Sequence, residues 1–156
     1  MITTLLLGGY NWESFYVVGS SQGDNVSVKR VPGNPFHQLI FTAEPGSAQF
    51  DTSSEALAGC EYAPTVVKCK IPSLATRLDS ITLAGMGGDD RFSMSGELEW
   101  EAATTPTLIG GQGNDTLIGS GQTEDVLIDG VGAGADNLFG FAFDDALLNN
   151  EGADRV

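Results

Sequence analysis

Apolar residues alternate with polar ones over short runs along this chain, and nowhere do they recur convincingly at the spacing of an amphipathic helix. Val26-Ser27-Val28-Lys29-Arg30-Val31 alternates, Pro32-Gly33-Asn34-Pro35 supplies a turn, and Phe36 to Thr42 alternates again. Together they predict a β-hairpin. Val66 to Ile71 and Ser80 to Leu83 predict further short strands. Leu98 and Trp100, set between Glu97, Glu99 and Glu101, predict a strand with an acidic, solvated outer face that leads into Thr107-Leu108-Ile109. The expected fold class is all-β.

A second, longer period runs through the C-terminal half. Gly110-Gly111-Gln112-Gly113-Asn114-Asp115-Thr116-Leu117-Ile118 fits the nine-residue pattern Gly-Gly-x-Gly-x-Asp-x-U-x, where U is a large apolar residue. Looser copies follow at Ser120–Ile128 (Asp125, Leu127), Val131–Phe139 (Asp136, Leu138), Gly140–Leu148 (Asp145, Leu147) and Asn149–Val156 (Asp154, Val156). Their U residues lie 10, 11, 9 and 9 positions apart, which places the additional residues in turns. Gly85–Ser93 is an earlier copy, with Asp90, Phe92 and Met86 at the second glycine position. Gly8-Gly9 with Glu13, and Gly23 with Asp24 and Val26, read as degenerate rungs.

Charge sharpens this picture. The chain of 156 residues carries 21 acids against 7 bases, a formal charge of -14, which excludes the electrostatics needed to bind nucleic acid or an anionic membrane and makes cations the natural partner. Residues 85–156 hold 14 of the acids and 2 of the bases. Cys60 and Cys69, nine apart around Tyr62-Ala63-Pro64-Thr65, are placed to close a hairpin. A disulfide, and with it an oxidising extracytoplasmic setting, is favoured over two free thiols. No basic region precedes Ile2 to Leu7, so neither a signal peptide nor a membrane span is expected, and the chain reads as a mature fragment or as one exported by another route.

Residues 85–156 resemble the RTX, or haemolysin-type, calcium-binding repeat family. The middle of the chain, with Asp24–Val28, Gly59-Cys60, Cys69 and Ser80–Leu83, resembles a cysteine-bearing β insertion of bacterial secreted proteins of this kind. The resemblance implies a parallel β-roll (β-solenoid) of calcium-binding nonapeptide repeats with an inserted β-hairpin region. Degenerate rungs would occupy residues 1–28, the insertion 29–80 and the calcium-binding roll 81–156. It also implies a secreted or cell-surface, bacterial location.

In such a repeat six residues turn and three form a strand, so two repeats complete one coil. Asp115 should then stack with Asp136, Asp136 with Asp154, and Asp125 with Asp145. At a strand spacing of about 4.8 Å, stacked carboxylates repel by about 1 kcal/mol even at bulk dielectric, and a divalent cation reverses that sign. Six to eight hard oxygen ligands suit Ca2+ better than magnesium or zinc. The expected ligands are Asp115, Asp136 and Asp154 on one edge and Asp125 and Asp145 on the other, with Asp90 behind them and carbonyls such as those of Gly111 and Gly113 assisting. Asp129 falls among inserted turn residues, so it is expected to matter less than Asp136.

Other motifs carry less. Gly19-Ser20-Ser21-Gln22-Gly23 spells a serine-hydrolase elbow, but the sequence after it continues as a strand rather than a helix. His37, the single histidine, reads as a polar strand residue. No catalytic constellation emerges, and the expected function is an extracellular structural module whose folding and stability depend on Ca2+. Two alternatives stand beside it: a self-assembling surface-layer or filament subunit, and the C-terminal calcium-binding part of a larger secreted hydrolase or toxin. Neither end carries a recognisable cap, from which end-to-end self-association in calcium is expected.

Overall fold

A computed structural model describes residues 4–10, 14–33, 35–52, 59–72, 80–94, 105–132, 134–149 and 152–156. These residues form strands and turns, with no helix among them, so none is long and apolar enough to cross a membrane. The strands in chain order are β1 (Thr4–Tyr10), β2 (Ser14–Val18), β3 (Asn25–Val31), β4 (Phe36–Ala43), β5 (Gln49–Phe50), β6 (Cys60–Ala63), β7 (Val66–Pro72), β8 (Ser80–Ala84), β9 (Arg91–Met94), β10 (Thr105–Gly111), β11 (Thr116–Ile118), β12 (Val126–Gly130), β13 (Asn137–Phe139) and β14 (Ala146–Leu148). They make two seven-stranded sheets, β14-β12-β10-β8-β2-β1-β5 and β13-β11-β9-β3-β4-β7-β6.

From β8 onward, consecutive strands lie in different sheets, and each pairs in parallel with the strand two places on. The register puts Val17, Leu83, Leu108, Leu127 and Leu147 side by side in the first sheet. Val26, Phe92, Leu117 and Leu138 are side by side in the second. Because side chains alternate along a strand, each three-residue strand turns one large apolar residue inward. Leu108, Leu117, Leu127 and Leu138 are fully or almost fully buried, worth about 1.5–3 kcal/mol each. These two columns are the core of the C-terminal half.

The N-terminal half is built by hairpins. β3 pairs antiparallel with β4, β4 with β7, and β7 with β6, which extends the second sheet with Leu39, Phe41, Val67 and Cys69 buried. The expected hairpin is therefore present, and β3 runs across the expected division between residues 28 and 29. Phe15 of β2 and Phe41 of β4 bring their rings to 5.8 Å across the two sheets. Cys60 and Cys69 face each other in register and form the disulfide, with their Cα atoms 4.0 Å apart. That bond is consistent with an extracellular protein.

One expectation is corrected. Gly8-Gly9, read as the turn of a degenerate rung, lies inside β1, opposite Tyr16 and Phe15 of the antiparallel strand β2. Double glycine is a turn signal only when the next residues leave the sheet, and here β2 returns to the same sheet. The strand expected around Leu98 and Trp100 lies outside the described residues.

Candidate metal centre

The turns after β2, β8, β10, β11, β12, β13 and β14 each end on an aspartate. On the edge where the chain passes from the first sheet to the second, these aspartates are Asp24, Asp90, Asp115, Asp136 and Asp154, and they form a ladder. Asp24 donates its backbone N–H to Oδ1 of Asp90 (2.7 Å), Asp90 to Asp115 (2.8 Å), Asp115 to Asp136 (2.6 Å) and Asp136 to Asp154 (2.9 Å). Main-chain bonds run beside it: Thr116 N–H donates to the Asp90 carbonyl and Asn137 N–H to that of Asp115. On the opposite edge Asp125 donates to Oδ1 of Asp145 (2.9 Å).

The second carboxylate oxygen separates these turns into two kinds. Oδ2 of Asp24 accepts the Ser20 N–H, and Oδ2 of Asp125 accepts the Ser120 N–H, both at 2.6 Å. Thr123 Oγ1 also donates to Oδ1 of Asp125. Serine thus closes these two turns with protein donors. In contrast, Oδ2 of Asp90, Asp115 and Asp154 is buried with no hydrogen-bond partner among the described residues. A buried carboxylate oxygen without a donor is strongly destabilising, and three such oxygens recur along one edge.

Electrostatics follow from that burial. The Asp90 carboxyl is pushed up to about 8, first by loss of water and then by Asp115, Asp24 and Asp89, against the opposing Asp24 N–H. Asp115 rises to about 6 for the same first reason, with Asp136, Asp89 and Asp129 adding to it. Asp125 also rises to about 6 through burial, partly offset by Ser120 and Thr123. Burial raises Asp136 too, helped by Asp154 and Asp129. A bound cation acts against all of these shifts.

The carboxylate oxygens of Asp129, Asp136 and Asp154 lie within 4.8 Å of one another, and this triad could hold a metal ion. Two of its members were candidates from the sequence; Asp129, expected among inserted turn residues, lies instead in strand β12. The structure brings Asp90 and Asp115 onto the same edge and sets Asp125 and Asp145 on the other. The Gly111 carbonyl accepts the Val131 N–H at 3.0 Å, and the Gly113 carbonyl packs against Gly134 so closely that a side chain there would collide with it. Both carbonyls therefore face the turn that follows β12, on the same edge as the triad.

The remaining motifs find simple places. Ser21 is exposed in a turn that enters β3, and Ser20 Oγ bonds Asp24. His37 accepts the Gly33 N–H on Nδ1 and so braces the β3–β4 turn. Compared with family models, curated proteins and solved structures, the chain finds no match.

Proposed function

We propose that this chain is a non-catalytic, calcium-binding extracellular module, a parallel β-roll whose folding depends on Ca2+. The observation that carries this reading is the ladder itself, with Oδ2 of Asp90, Asp115 and Asp154 buried and without a donor. The donors gathered on that edge are carboxylate and carbonyl oxygens, a hard set that suits calcium and offers zinc neither nitrogen nor sulfur. Parallel pairing of every second strand and the two inward apolar columns support the roll. Calcium would be held by Asp90, Asp115, Asp136 and Asp154 with turn carbonyls such as those of Gly111 and Gly113. Asp24 and Asp125, closed by serine, need no ion to satisfy them. Circular dichroism and thermal melting in chelator and then in millimolar calcium test the reading: the β signal and melting temperature should rise with calcium. A melting curve indifferent to chelation rejects it.

One observation favours a second property of the same module. β13 and β14 are the outermost strands at one end of the two sheets, and Phe139, Phe141, Phe143 and Leu148 beside them are exposed. Arg155 bridges the outer edge of β13, but exposed apolar side chains beside an outermost strand invite contact with another chain, which supports end-to-end self-association. Light scattering over a concentration series in calcium should show particles that grow, and a constant monomer rejects it.

A further inference from the structure

The turn between β12 and β13 departs from the others in a way that points to a site of its own. Two residues after the inward apolar residue of a strand stands a glycine in five turns: Gly19 after Val17, Gly85 after Leu83, Gly110 after Leu108, Gly119 after Leu117 and Gly140 after Leu138. The reason is steric. At each of these glycines an added Cβ would overlap Oδ2 of the aspartate that ends the turn, respectively Asp24, Asp90, Asp115, Asp125 and Asp145. After Leu127 the same place is taken by Asp129 and after Leu147 by Asn149, so Asp129 is the one that brings a carboxylate there.

The turn is also longer than the others. From glycine to aspartate the spacing is five residues in the turns 19–24, 85–90, 110–115 and 140–145 and six in 119–125, whereas Asp129 to Asp136 is seven. Asn149 to Asp154 is again five, so length alone does not decide whether a side chain fits; the β12–β13 turn differs in setting a second carboxylate beside its aspartate. Asp129 is only 3% exposed although it bears a charge, and its carboxylate meets those of Asp136 and Asp154 within 4.8 Å.

An independent observation marks this space as one that expects a cation. Asp115 is 0% exposed and its Oδ2 has no hydrogen-bond partner among the described residues. The point where a Gly110 side chain would begin is crowded at once by Asp115 Oδ2 and by the carbonyl oxygen of Asp129. A donor-free carboxylate oxygen is thus turned toward the main chain of Asp129, and the triad beyond it adds three more carboxylates. Charge count is one of the two properties by which oxygen sites tune their affinity for calcium.

We propose that Asp129 converts this turn into a separate calcium site with three carboxylates, Asp129, Asp136 and Asp154, which fills before the other positions of the ladder. The inference rests on the calcium reading above. The competing explanation is that Asp129 only accepts hydrogen bonds within its turn, and Asp129→Asn separates the two because it keeps size and acceptor while removing charge. Isothermal titration of the full chain with calcium chloride, with bound ions counted by native mass spectrometry, is the test. Wild type should show a tightest site that is weakened at least tenfold in D129N and absent in D129G. The remaining sites and the β signal in excess calcium should be unchanged, and Asp144→Asn should titrate like wild type. Equal stoichiometry and affinity in wild type, D129N and D129G overturn this inference and leave the calcium reading standing. Calcium binding by none of the three overturns both.

Discussion

Asp115→Asn tests the ladder at its most confined rung. Asp115 is fully buried; its Oδ1 accepts the Asp90 N–H at 2.8 Å, and its Oδ2 has no partner beside the Asp129 carbonyl. Asparagine keeps the acceptor for Asp90 and replaces the orphan oxygen with an amide that can donate to that carbonyl. It also removes a charge opposed by Asp136, Asp89 and Asp129. A carboxyl held at about 6 rather than 3.8 represents about 3 kcal/mol of unfavourable ionisation at neutral pH. In chelator at pH 7.5, Asp115→Asn should therefore stabilise the fold by about 2–3 kcal/mol. In 10 mM calcium that advantage should be cancelled, and reversed where Asp115 touches two ions. A site with a dissociation constant of about 0.1–1 mM gives wild type about 1.4–2.7 kcal/mol per ion, and every ion that Asp115 touches is weakened in the variant. Urea denaturation followed by circular dichroism in both media reads the two arms. Equal destabilisation in chelator and in calcium would show that Asp115 is a plain hydrogen-bond acceptor and refute the reasoning.

Three further outcomes are expected. Asp90, Asp115 and Asp125 have folded pKa values raised above their unfolded ones, to about 8, 6 and 6, so the stability they contribute is present below pH 4 and is lost as pH rises through 6 and then 8. Melting in chelator should fall across that window, while the rise in melting temperature produced by calcium should grow across it, because ligands bind the ion deprotonated; a calcium increment independent of pH contradicts both. Phe141 and Phe143 hold positive φ angles of 76° and 80° and are 72% and 65% exposed, so replacing each by glycine relieves strain without losing burial. Each replacement should stabilise by about 1 kcal/mol, read as a melting temperature about 3 °C higher, and a lower value would mean that the rings contact something. Reduction of Cys60–Cys69, which closes a separation of nine residues, should lower stability by about 2–3 kcal/mol, visible as a shifted urea midpoint with and without reductant.

How far the sequence reaches depends on what each feature requires. A strand with one wet face reveals itself by alternation, and so Val26 to Val31 and Phe36 to Thr42 were legible, as was the pairing of Cys60 with Cys69 across the turn at Pro64. The inward residues Leu117, Leu127 and Leu138 were legible because each sits two places after an aspartate, a spacing fixed by the turn that precedes the strand. Gly8-Gly9 misled because glycine reports conformational permission, not its use, and only the return of β2 beside β1 settles which use was made.

The division of the aspartates lay beyond the repeat pattern for a different reason. Asp115 and Asp125 occupy the same repeat position, and what separates them is whether the turn supplies a donor to Oδ2, as Ser120 does for Asp125. Serine at the second position of the turn, in Gly19-Ser20 and Gly119-Ser120, is the signal that could have marked the two turns that satisfy their own carboxylates. Asp129 was discounted because the alignment was anchored on the aspartate that ends each turn, which counts it as an insertion. Counting forward from the inward residue instead gives Gly19, Gly85, Gly110, Gly119 and Gly140, then Asn149 and, as the one acid, Asp129. The departure becomes visible only in the frame where the steric requirement acts, between the first residue of a turn and the carboxylate that folds back over it. Asn149 shows that a side chain can stand there without added length, so what the turn after β12 adds is charge, a third carboxylate beside Asp136 and Asp154.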